Sequence, residues 1–216
     1  MINKGLLYPS ILFTLILFLW PILTIISMPT GDINQQLNLI KDSPTLYIVN
    51  FYIALLISPF LVWMLLSFFN SLQQKHTTFN HNIALYFYII YIIMISISYG
   101  SQVMYLPYML NKTSIDVASK WYFYNNYSFA AYINQTGYFF WSIATLLLFN
   151  KVLKLKGIPL IAALLLYIIS IGQIFASIGL YTHNAFLSSI TFYCGILLLP
   201  VGALCIIYSL KSRKIE

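Results

Sequence analysis

Three glutamines, Gln102, Gln135 and Gln173, stand inside long apolar stretches of this chain, each accompanied by other uncharged polar residues at spacings built from three and four. On a helix those spacings place the residues on one face. The first stripe is Tyr88, Tyr91, Ser98, Gln102 and Tyr105; the second is Gln135, Tyr138, Ser142 and Thr145; the third is Tyr167, Ser170, Gln173, Ser177 and Tyr181. Tyr47, Asn50 and Ala54 form a further stripe, as do Ser188, Thr191 and Gly195. The chemistry open to such groups is hydrogen bonding without charge. Amides, phenols and hydroxyls suit a neutral amphipathic ligand or a lipid. An ionic substrate calls for an opposite charge in the span, and no Asp, Glu, Lys or Arg lies in the middle of any apolar stretch. The candidate binding residues are therefore Asn50, Tyr91, Gln102, Tyr105, Gln135, Tyr138, Gln173 and Ser177.

The residue types that membrane catalysis needs are missing from the spans. Membrane metal hydrolases and haem proteins use histidines or carboxylates in the bilayer core, and rhomboid-type proteolysis needs a serine in a Gly-x-Ser-Gly setting with a helical histidine. Here His76 and His81 fall in one connection and His183 in a turn. Cys194 and Cys205 sit eleven residues apart in a single stretch, too far for a mutual disulfide, and form no C-x-x-C pair. The sequence predicts no enzymatic activity, no catalytic residue, no cofactor and no metal.

The elements that must position the stripes are membrane spans. Hydrophobic residues make up 61% of the 216 and charged residues 7%, with a mean hydropathy of +0.85, well outside the mix of a soluble domain. A span needs about 20 apolar residues. Hydrophobic runs and their polar flanks place six spans at 6–28, 46–69, 82–110, 130–150, 158–182 and 185–209. They fill the chain, which predicts an all-α fold: a polytopic membrane protein, one six-helix transmembrane domain over 1–216. The first span, about 23 residues long without a small-residue cleavage pattern, is expected to be a retained anchor.

Alternate connections divide the basic residues eight to three. Lys4, Lys75, Lys151, Lys154, Lys156, Lys211, Arg213 and Lys214 fall on one side, and Lys41, Lys112 and Lys120 on the other. The positive-inside rule then puts both termini in the cytoplasm and the 29–45 and 111–129 connections outside. The net charge of +7 is an insertion signal with some attraction to anionic lipid heads, and its scatter over short loops excludes a nucleic-acid partner. The bias toward Ile, Asn, Lys and Tyr suggests a bacterial cytoplasmic membrane, where the sequons at Asn111, Asn126 and Asn134 carry no meaning.

On this topology the polar stripes crowd toward the outer half, and two accounts of that layer stand side by side. It is a hydrogen-bonded network that glues helices, with Gly195 and Gly202 allowing close approach, or it lines a cavity open to the outside. Pro21, Pro59 and Pro200 fall within spans and can kink them. The segment from Trp121 to Tyr127 (WYFYNNY) is too aromatic for a plain linker and is expected to lie on the membrane surface or to fold over the bundle mouth as a lid.

The run from Gly137 to Lys151 (GYFFWSIATLLLFNK), the LKGIPL segment from Leu155, the LYIVNFY segment from Leu46 and the closing Leu- and Pro-containing span resemble a bacterial family of six-helix membrane proteins of unknown function. The resemblance implies the fold and the membrane location, and brings no activity or site residue. The function expected first is non-enzymatic binding or carriage of a neutral or lipid-like molecule. The alternatives are a membrane subunit of a larger transporter, with a membrane-protein partner, and a structural or immunity-type protein. Residues 6–28 contain neither Ala nor Gly, unlike the small-residue docking face of vitamin-capture subunits, and the few residues before the first span are expected to leave no room for an amphipathic helix of the export-permease kind.

Overall fold

The computed structural model describes residues 3–72, 78–150 and 152–211, so Lys75, His76, Lys151, Arg213 and Lys214 lie outside the described residues. Those residues form helices and no strand: α1 (Lys4–Ser27), α2 (Ile33–Asp42), α3 (Thr45–Ser71), α4 (Thr78–Gly100), α5 (Leu106–Lys112), α6 (Ile115–Ser119), α7 (Phe129–Leu148), α8 (Ile158–Tyr181) and α9 (Ala185–Lys211). Side-chain caps set several starts. Asn3 accepts from the Leu6 N–H at 3.3 Å, Asp32 and Gln35 form a reciprocal capping box, and Ser128 accepts from the Ala131 N–H at 3.1 Å. Gly157, at φ +64°, turns the chain into α8, whose first turn holds Pro159.

Among the described residues, five helical stretches are long and apolar enough to cross a membrane: Lys4–Ser27, Thr45–Ser71, Phe79–Lys112, Ile158–Tyr181 and Ala185–Lys211. The expected fourth span forms α7, which lies outside this set. At 20 residues it is about 30 Å long, but Asn134, Gln135 and Thr136 make it less apolar than the others.

The long helices pack in a closed ring, in the order α1, α3, α4, α7, α8, α9 and back to α1. Neighbours run antiparallel, so the helix ends segregate. At one end the Asn3 N–H donates to the Ser209 carbonyl at 3.0 Å, joining the start of α1 to the end of α9, and Phe68 packs on Phe149 and Tyr208. At the other end Tyr47 reaches Gln102 and Tyr132 packs on Tyr181. Apolar rings and Leu61 and Leu65 fill the first end, whereas the second holds most of the buried amides. Outside the ring, Leu15, Phe18, Ile22 and Ile25 of α1 and Tyr86, Ile89, Ile93 and Ile97 of α4 are exposed. An apolar belt of that kind is stable against lipid and would drive aggregation in water.

Glycine sets the closest approach, at Gly202 as expected and at Gly179 in place of Gly195. A Cβ on Gly179 of α8 would stand 2.4 Å from the Leu187 Cβ and the Ser188 nitrogen of α9, and one on Gly202 would meet Thr14 of α1 at 2.3 Å. Gly195 faces open space, so it takes no part in the close packing assigned to it from the sequence.

Candidate functional site

The second end of the ring is closed by a cap of α2, α5, α6 and the 120–128 loop. Leu37 and Ile40, the apolar face of α2, are buried where α2 meets α5 and α6. The aromatic segment is a plug and not a surface-lying strip: Tyr122 is 0% exposed, and Phe123 inserts between Phe51 and Tyr99 with ring centroids 5.3 Å from each. Aromatic rings bury more area inside an open helix ring than they would lying at an interface, which is why the lid geometry wins.

Gln102 holds this plug. Its Oε1 accepts from the Tyr47 hydroxyl at 2.7 Å and the Phe123 N–H at 3.0 Å, while its Nε2 donates to the Trp121 carbonyl at 2.7 Å and the Ser101 Oγ at 2.8 Å. One side chain therefore clasps the plug backbone on both sides of Tyr122. The local fold explains its aim. Residues Ser101–Tyr105 form a π-helical turn, with the Leu106 N–H bonded to the Ser101 carbonyl, just before Pro107. Proline has no N–H for the carbonyl of Val103 and its ring crowds that oxygen, so the wider turn relieves the clash and rotates Gln102 toward the mouth.

Beside the plug, Asn50 accepts from the Thr24 hydroxyl at 3.3 Å and donates to the Tyr124 hydroxyl at 3.4 Å, both long bonds. Above Tyr124 opens a cavity of about 570 Å³ lined by Met28, Gly31, Asp32, Ile33, Asn34, Gln36 and Tyr124. Gln36 accepts from the Tyr122 hydroxyl at 2.6 Å, tying the cavity wall to the plug. Burial raises the Tyr122 and Tyr124 phenols above their ordinary value, an effect that the proximity of Tyr124 reinforces at Tyr122 and that bonds from Thr24 and Asn50 oppose at Tyr124. The mouth thus presents neutral polar groups from Asn34, Gln36 and Tyr124 together with one carboxylate, that of Asp32.

A second amide cluster lies across the ring. Gln135 Nε2 of α7 donates to Gln173 Oε1 and Ser177 Oγ of α8, each at 3.1 Å, and Thr191 of α9 stands 2.6 Å from Gln173 Oε1 and 2.9 Å from Gln135 Oε1. Three helices are joined by one network, and Thr191 has a single proton for two acceptors. Thr136 and Tyr181 add another α7–α8 bond.

Between the clusters, rings of α1, α4 and α7 meet inside the bundle. Tyr91 and Tyr138 have centroids 5.4 Å apart, Trp141 is 6.5 Å from each, and Trp20 is 6.2 Å from Tyr99. Trp141 Nε1, Trp20 Nε1 and Tyr91 Oη are buried without a well-formed hydrogen bond, though Tyr138 is a hydroxyl neighbour of both Tyr91 and Tyr99.

The sequence candidates are thus divided. Gln135, Gln173 and Ser177 come together; Tyr91 and Tyr138 come together; Gln102 and Asn50 stand at the mouth; Tyr105, 40% exposed, packs on Trp121 away from the others. Sequence reasoning missed Tyr99 and Thr24, and gave Tyr124 only as part of the aromatic lid segment. Tyr99 is eight residues beyond Tyr91 and could have been found by extending that stripe, whereas Thr24 and Tyr124 have no periodic signal. Among the described residues no three His, Cys, Asp or Glu side chains come together as metal ligands, and His81 stacks on Phe69.

The class this architecture defines is an all-helical protein with multiple membrane-compatible helices and a capped polar mouth. Comparison with protein-family models, curated proteins and solved structures finds no match to the chain.

Proposed function

We propose that the chain is a multi-pass protein of the bacterial cytoplasmic membrane, with α7 as a sixth span and both termini inside. In this reading it has no enzymatic activity and takes a neutral amphipathic or lipid-like molecule into its outer half. The observation that carries the proposal is the mouth: an open depression of about 570 Å³ whose polar lining is Asn34, Gln36, Tyr124 and the single carboxylate of Asp32, beside a plug held by the Gln102 clasp. A ligand that displaces Tyr124 gives up its 3.4 Å bond from Asn50 and its contact with Thr24, fewer and longer bonds than those Gln102 makes at the clasp, so entry at that side is energetically cheaper. The Thr24–Asn50 pair then offers one hydroxyl and one amide to the incoming molecule, which matches a ligand with a neutral head and an apolar body.

The test is mass spectrometry of molecules retained by the protein in native lipid discs, comparing wild type with Asn50→Leu and Gln102→Leu. A defined neutral molecule or enriched lipid, retained by wild type and depleted in Asn50→Leu, supports the reading. Bulk lipid alone in every sample contradicts it.

A further inference from the structure

The interior of the ring contains donors that its own residues leave unused. Trp141 Nε1 and Trp20 Nε1 can only donate, and both are buried without an acceptor; the Tyr91 hydroxyl beside Trp141 has the Tyr138 hydroxyl as its one polar neighbour, without a well-formed bond. Most buried polar atoms find partners, so an indole N–H left without one in this interior marks a place where an acceptor belongs. Tyr91 lies eleven residues along the helix from Gln102, about 16 Å deeper than the clasp. Neither Gln102 nor Gln135 supplies that acceptor: Gln102 is saturated at the plug, and Gln135 is engaged with Gln173 and Ser177.

We propose that Trp141 and Tyr91 form an inner hydrogen-bond site for an acceptor oxygen, carbonyl or ether, of the neutral molecule admitted at the mouth. The inference rests on the ligand-carrying reading above and narrows its chemistry. A group that can only donate gains nothing at an indole N–H, and a carboxylate meets no cation among the residues of this cluster. Trp141 and Tyr91 are wholly buried, and Tyr138, which packs on both, is only half-buried. Movement of the Tyr138 ring is the route by which the oxygen reaches the two donors. The rings of Tyr91, Tyr138 and Trp141 then face the ligand's apolar body.

The experiment uses the full chain in lipid discs with its four tryptophans 15N-labelled, the Trp141 indole signal being assigned by its loss in Trp141→Phe. Two probes of the same shape are titrated: 2-decanone, which carries the acceptor, and 2-methyl-1-decene, which does not. The ketone is expected to shift the Trp141 indole resonance saturably, about tenfold more tightly than the alkene, and Tyr91→Phe to weaken the ketone alone by several fold, about threefold. Equal response to both probes, or a Trp141 signal that neither moves, overturns the inner site. If discs retain a native molecule while the Trp141 indole stays silent to the ketone, the inner site falls and the mouth reading stands. If discs retain only bulk lipid and the indole is silent, both fall.

Discussion

Removing the Gln102 amide strands a hydroxyl, an N–H and a carbonyl in a buried region. Tyr47, Phe123 and Trp121 all depend on this one side chain. Each abandoned group costs about 1–3 kcal/mol, less what local relaxation recovers. Gln102→Leu is therefore expected to destabilise the protein by about 3 kcal/mol and to expose the 120–128 loop to protease, measured by thermal melting and limited proteolysis in discs. The α7–α8–α9 network behaves differently, because its members can re-pair: Thr191→Val should cost about 0.6–2 kcal/mol and leave the loop protected. The plug phenols add a pH dependence. Their folded values lie above the ordinary 10.0, so the folded state holds the proton more tightly. Their contribution is complete below pH 10 and is lost as pH rises from there through the raised values. Tyrosinate absorbance should accordingly develop together with protease sensitivity of the loop above pH 10, and Gln102→Leu should bring both to lower pH.

At the scale of elements, helix contact depends on where a missing side chain faces. Gly179 lets α8 approach the backbone of α9, and that backbone cannot yield as a flexible side chain would. Gly179→Ala is expected to cost about 1–3 kcal/mol through overpacking, whereas Gly195→Ala, facing open space, should be neutral in the same thermal melt. This pair also shows how far the sequence could be followed. Apolar runs and polar periodicity were sufficient for helix existence and for grouping Gln173 with Ser177 on one face of α8, since both depend on local order. They do not show which face of α9 meets α8, and so do not distinguish Gly195, which faces open space, from Gly179, which sets the contact. The lid is one of two readings the aromatic segment allows, and its seating is not legible in the sequence for a related reason. Its partners Phe51, Tyr99 and Gln102 lie well before it in the chain, and only the closed ring brings them to Phe123. Pro107 was a readable sign of the π-helical turn, but the aim it gives Gln102 depends on the helices around it.

The whole molecule is a ring whose two ends differ: one is packed with apolar rings, the other is capped and polar. That asymmetry gives orientation a functional meaning, because the proposed ligand enters only from the capped end. With the two buried cysteines replaced by alanine, Asn126→Cys in the plug loop should react with a membrane-impermeant maleimide on intact cells, and Lys154→Cys only after lysis. The reverse pattern would place the mouth in the cytoplasm and remove the outer-leaflet source. The claim that most needs testing is that the mouth holds a defined neutral molecule. Photo-crosslinking from p-benzoylphenylalanine placed at Tyr124, in native membranes and read by mass spectrometry, tests it most directly. The account predicts one recurring neutral adduct that diminishes in Asn50→Leu; adducts only to bulk phospholipid or to the protein's own chain would contradict it.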